Sequence, residues 1–143
     1  MTERWAKTSS QPPAGGTVAQ VMHPALTTAE LGDHVAAAAY LMKHGGTAAL
    51  VVVDEQTGRP VGIITDSDVA HVVADGKDVN EVRIAEVMTR NPAVIPANTT
   101  IREAARLMTS QHIRQLPVVD ASGLTGIVDI DAVCRALLGP DDQ

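Results

Sequence analysis

Residues 62–69 read GIITDSDV, and residues 126–133 read GIVDIDAV. Both run Gly-Ile-(Ile/Val) and close on Val, but Thr65 and Asp68 of the first become Asp129 and Ala132 in the second. A cadence that recurs with altered chemistry points to a duplicated fold in which one copy keeps a chemical task. The chain around both phrases repeats as well. VAQVM (18–22) returns as IAEVM (84–88), VAAAAYLM (35–42) as IREAARLM (101–108), and LVVVD (50–54) as LPVVD (116–120), each pair 66 residues apart. The Gly phrases are 64 apart because the second hairpin turn is two residues shorter. Three blocks in one order at one spacing make a tandem repeat, and the repeat decides the fold.

Each copy carries the same local signals. Pro24 and Pro92 disfavour helix for the residues before them, so short extended pieces are expected around 26–28 and 94–95. A helix is expected from about Asp33 to Lys43, with Asp33 as N-cap and Gly45-Gly46 as its stop. Its twin opens at Thr100, where TIRE forms a capping box from the Thr100 hydroxyl and the Glu103 carboxylate. Two β-rich runs follow in each copy, AALVVVD to VGIIT and QLPVVD to LTGIVD, joined by tight turns. Their near-continuous apolar character predicts strands covered on both faces. Each copy closes on a second helix, DSDVAHVVADG or DIDAVCRALLG, stopped at Gly76 or Gly139 with Pro140 beyond the second. The expected fold is α+β, two pseudo-symmetric β-α-β-β-α repeats packed sheet to sheet, because one copy of about 55–60 residues buries too little surface alone. The repeats are set at 17–74 and 84–139, with a polar linker at 75–83 and tails at 1–16 and 140–143.

Composition narrows the function classes. The 143 residues are 45% hydrophobic but only 1% aromatic, with no Phe, so the core is aliphatic and offers no stacking platform for exposed bases. A net charge of −6 argues against nucleic acid, which calls for a basic stripe. No run of 18 apolar residues predicts a membrane span, and residues 1–16 lack the apolar stretch of a secretory signal. A single Cys134 excludes an internal disulfide, so a cytoplasmic protein is expected.

The paired VM…P openings, the LPVVD strand and above all GIITDSDV resemble a tandem pair of cystathionine-β-synthase (CBS) domains over roughly residues 17–139. The family phrase runs Gly-hydrophobic-hydrophobic-Thr-x-x-Asp-hydrophobic, and two such phrases in register make the resemblance specific. It implies a regulatory, non-catalytic module that binds adenosine-containing ligands in clefts between its halves and passes that signal to another protein. It also implies pairing into homodimers through the helices.

The residues of the first phrase suit such a ligand. Thr65 is expected to end a strand and to place Ser67 and Asp68 in the first turn of a helix, where free amides favour a phosphate. The Thr65 hydroxyl adds a donor, and Gly62 permits close backbone approach. The Asp68 carboxylate matches the two adjacent hydroxyls of a ribose. In the resembled family the other wall comes from the opposite repeat. Carried onto this chain, that wall is Ala93, Val94 and Ile95 against the base, together with His112, Ile113, Arg114 and Pro117, Arg114 being the phosphate-binding cation. The second phrase lacks these groups, and its facing wall GGTAA (45–49) has no Arg or Lys. Losing two hydrogen bonds of about 1.5–3 kcal/mol each leaves, after water compensates, a deficit of roughly 2–4 kcal/mol. The second cleft is therefore expected to be weak, empty or repurposed.

Other features read more plainly. His23, His34, His44, His71 and His112 lack ligand spacing, so no metal is expected. Cys134 is expected to be a small buried or interface residue. The Ala-rich surface of VAAAAYLM suits close approach of a partner helix, with Val35, Leu41 and Met42 facing the body. No nucleophile–base pair, HExxH or phosphate loop marks an enzyme. The leading expectation is a stand-alone sensor module for AMP, ADP, ATP or a related adenosyl regulator, bound mainly in one cleft, with no obligatory cofactor and an unassigned protein as its target. The alternative is a ligand-free dimeric interaction scaffold.

Overall fold

The strands alternate between two faces, and that alternation builds the molecule. In a computed structural model describing residues 16–24 and 27–139, β3 (Ala49–Val53) pairs antiparallel with β4 (Pro60–Thr65), and β7 (Gln115–Asp120) with β8 (Gly123–Asp129). Leu50, Val52 and Ile64 point into one aliphatic core, and Leu116, Val118 and Val128 into a second. The intervening Ala49, Val51 and Ile63 are also buried, though they belong to neither core. They face the other sheet, as side chains one residue apart on a strand must. The tails through residue 15 and from residue 140, with Trp5 and Pro140, lie outside the described residues, as does Leu26.

Each half adds a short parallel strand and two helices. In the first half, β2 (Ala29–Glu30) lies parallel to β3, with α1 (Val35–Gly45) and α2 (Asp66–Ala74) covering the sheet. In the second, β6 (Ile95–Pro96) lies parallel to β7, with α4 (Ile101–Gln111) and α5 (Ile130–Leu138). A bulge at Val52/Val53 recurs at Val118/Val119. The α+β, sheet-to-sheet architecture expected from the repeat is the one observed, and the extended pieces fall at 29–30 and 95–96.

The lead segments cross over. VAQVM forms a single 3-10 turn, Val18–Gln20, followed by β1 (His23–Pro24), and β1 pairs with β8 of the second half. IAEVM forms α3 (Ile84–Val87), followed by β5 (Thr89–Arg90), which pairs with β4 of the first half. The sheet orders are accordingly β1-β8-β7-β6 and β2-β3-β4-β5. Val18 lies in the second core, and Ile84 and Met88 in the first. Equivalent hydrogen bonds anchor both crossings, Val18 N to the Thr99 carbonyl and Ile84 N to the Asp33 carbonyl.

Three local expectations change. The α1 N-cap is His34, not Asp33, and its side chain makes no capping bond. The first α1 amides are taken instead by the carbonyls of Val82 and Val79, so residues 75–83 cap a helix as well as linking the halves. Asp33 turns back to accept the Glu30 amide. Cys134 is exposed, so of its two readings the buried one is overturned, because α5 turns Val133 into the core and the next residue outward. The Thr100–Glu103 box forms as read, with three hydrogen bonds of 3.0 Å.

Candidate functional site

A cavity of about 550 Å³ opens between the two sheets. Ala48, Ala49 and Val51 of the first half form one wall, Gln115, Ile127 and Asp129 of the second form the other, and His23, Pro24 and Thr27 lie at the crossing of the lead segments. It is therefore an inter-repeat cleft, and it brings together the GGTAA segment and Asp129 as the sequence pairing implied. Its place is the second phrase, the copy expected to be chemically depleted.

Asp129 is committed on one side and available on the other. One carboxylate oxygen accepts the Ala132 amide at 2.8 Å, capping α5, and the other lies 3.5 Å from His23 Nε2. A single Asp thus replaces the Thr-x-x-Asp capping device of the first repeat. Asp131 pairs with Arg135 one turn along α5 and does not line the cleft. Among the described lining residues none is Lys or Arg.

The twofold relation carries this geometry to the first phrase. Subtracting 64 from Asp129 gives Thr65, and adding 66 to Thr27, Gly46, Thr47, Ala48 and Val51 gives Ala93, His112, Ile113, Arg114 and Pro117. Six of the residues read from the sequence are thus counterparts of observed cleft residues. The backbone equivalence is direct, since Asp66 N bonds the Ala48 carbonyl at 2.9 Å and Ile130 N bonds the Arg114 carbonyl at 2.8 Å. Gly46 and His112 likewise both end their helices in left-handed conformation, at φ 67° and 56°. Arg90, the counterpart of Pro24, was not singled out by motif. Its guanidinium holds the Ala85 carbonyl at 2.9 Å, and only the strand crossing identifies its position.

The GIITDSDV turn is internally hydrogen-bonded. Asp68 Oδ2 accepts the Thr65 amide at 2.8 Å and the Thr65 hydroxyl at 3.2 Å, while Thr65 Oγ1 accepts the Asp68 amide at 3.3 Å. The helix is thus capped by Thr65 and Asp68, not by Asp66 or Ser67. With Asp66 N on the Ala48 carbonyl, the Ser67 amide is the donor left in the first turn among the described bonds. Asp68 keeps Oδ1 outside the box. It also lines a crevice of about 230 Å³ with His71, Lys77 and Val87, which contains none of the other predicted residues.

Two predicted residues are placed differently from their reading. A Cβ at Gly62 would meet Met88 Sδ at 2.4 Å and the Thr89 carbonyl at 3.0 Å, so the close approach seen here is that of Met88 and β5. Ile95 is 6% exposed and packs in the second core, whereas Val94 is 41% exposed. Hydrogen bonds from Thr100 hold Glu103 below the usual carboxylate range, Ser122 does the same to Asp120, and Glu55 pushes Glu30 up. No group of three or more potential metal-ligating side chains converges among the described residues.

Against known proteins, the CBS domain pattern matches residues 18–75 and 84–139. The Methanopyrus kandleri protein MK0525 is 36% identical over 99 residues, 68% of this chain and 50% of that protein, so the match spans half of the relative's length. A CBS-domain protein of Burkholderia ambifaria MC40-6 superposes with a TM-score of 0.78 at 31% identity, covering 89% of this chain and 96% of its own. CBSX2 in complex with AMP superposes at 0.70 and 30% identity, covering 85% and 96%.

Proposed function

Because the chain belongs to the CBS domain family, as a tandem pair, we propose that it is a regulatory module that binds an adenosine-containing ligand in the cleft of its first phrase. One observation carries this reading. Where the observed cavity has Asp129 and Ala48, the symmetry-related cleft has Thr65 and Arg114, a hydroxyl and a cation in place of a carboxylate and a methyl group. That exchange favours a phosphate. The AMP held by CBSX2, a neighbour of the same fold, supports the ligand class.

In this reading Arg114 and the Ser67 amide hold the phosphate, Thr65 shapes its seat, and Asp68 Oδ1 takes a ribose hydroxyl. Ala93, Val94, His112, Ile113 and Pro117 wall the base, while Gly62 and Ile95 support from behind. The ligand shifts the relation of the two halves, and a partner protein reads the shift. No chemical step falls to the module. Tyr40, Val73 and Leu138, 60%, 62% and 56% exposed on α1, α2 and α5, suit pairing of two copies through their helices.

Isothermal titration with AMP and ATP tests the reading. AMP is expected to saturate one site per chain, and Arg114→Ala to weaken it about tenfold or more, the loss of a charged hydrogen bond. Asp68→Asn retains an acceptor for the Thr65 amide, so the unliganded melting temperature should hold while affinity falls. Absence of saturable binding by a folded sample rejects the proposal and leaves the interaction scaffold.

A further inference from the structure

We infer that the cavity beside Asp129 is a second binding site of opposite charge preference, taking a neutral or cationic nucleoside-sized ligand and excluding phosphate. The inference rests on the adenosyl reading for the body of the ligand and on this cavity alone for its charge. At about 550 Å³ the space is of small-molecule size. Leu41, Leu50, Val51 and Ile127 give it apolar walls, and Thr47 and Gln115 supply neutral hydrogen-bonding groups.

The carboxylate of Asp129 is fixed in place because the Ala132 amide holds one oxygen, so it cannot swing away from an incoming anion. The other oxygen faces His23 Nε2 at 3.5 Å, too long for a strong hydrogen bond, and is half-exposed at the cavity wall. Among the described lining residues His23 is the one side chain able to carry positive charge, and it already sits against that carboxylate. A phosphate entering here meets a fixed negative charge and no Lys or Arg among the described lining residues. A protonated amine meets a pre-positioned acceptor. Asp129 is the specificity-determining residue, and it holds that role because it replaces the helix cap that Thr65 supplies in the first repeat.

The test titrates the full chain with three compounds that differ only at the 5′ position of adenosine: 5′-amino-5′-deoxyadenosine, adenosine and AMP. The proteins are the unaltered chain, Asp129→Asn and Arg114→Ala. Asn keeps an oxygen for the Ala132 amide, so the variant retains its helix cap and its melting temperature checks that it does. The amino nucleoside is expected to bind at least about tenfold more tightly than AMP at the site that Asp129→Asn weakens, and to ignore Arg114→Ala there. If AMP binds through Arg114 but the amino nucleoside shows no dependence on Asp129, this inference falls and the first-cleft reading stands. If the amino nucleoside shows the Asp129 dependence and AMP no Arg114 dependence, the reverse holds. If none of the three binds, both fall.

Discussion

Thr65 and Asp68 close a helix cap and, in the proposed reading, also face a ligand. Asp68 Oδ2 and Thr65 Oγ1 close the helix cap, which leaves Oδ1 and the Ser67 amide for anything that docks. The spacing Thr-x-x-Asp made the pair legible in the sequence, but spacing does not say that the cap engages part of the pair before a ligand arrives. Thr100 and Glu103 form the same box and line neither described cavity, so they report on the cap alone. Thr100→Ala should cost roughly 1 kcal/mol in urea unfolding near neutral pH. Hydrogen bonds from Thr100 depress the Glu103 pKa in the folded chain, so that stabilisation is full above the unfolded carboxylate value and is lost as pH falls through the folded value. The gap between the parent and Thr100→Ala should therefore narrow on acidification to about pH 3. A gap of constant size would show that the box is not what Thr100 contributes.

At the level of elements, the helices, hairpins and capping box were readable because each has a period or a stop signal. The crossing of the lead segments was not. VAQVM and IAEVM are near copies, so hydrophobicity cannot tell which core each one enters, and two-residue strands carry no alternation to assign. Two glycines reveal the crossing afterwards. A Cβ at Gly126 would lie 2.7 Å from the His23 carbonyl, and one at Gly62 would lie 2.4 Å from Met88 Sδ. A backbone carbonyl in a paired strand yields less than the end of a Met side chain. Gly126→Ala should accordingly destabilise by about 1–3 kcal/mol and by more than Gly62→Ala, measured by chemical denaturation of each variant. Equal, negligible losses would mean that β1 is not seated on β8 in solution.

For the whole molecule, the crossing makes the two halves interdependent. The second core is completed by Val18 from the far end of the chain, and the first by Ile84 and Met88 from beyond the linker. A fragment of residues 84–139 lacks Val18, Val21 and Met22 and is small enough to be marginal even if complete. It should give a coil-like circular dichroism spectrum, whereas residues 16–139 melt cooperatively. A cooperative melt of the fragment would show that the lead segment is dispensable.

The same interlocking sets the cavity beside Asp129 at the sheet-to-sheet seam, and the twofold puts the proposed seat between Thr65 and Arg114 at its counterpart, with the opposite charge in that proposal. The duplication was evident from three blocks at one spacing, and the loss of Thr65 and Asp68 in the second phrase was evident from two substitutions. That Asp129 faces an open, mostly apolar cavity, and does not merely fill it, required the fold. The most direct test of the charge division is a crystal of the chain soaked with AMP. Nucleotide density is expected between Thr65 and Arg114 and none beside Asp129; density beside Asp129 with nothing at Thr65 would overturn the charge division.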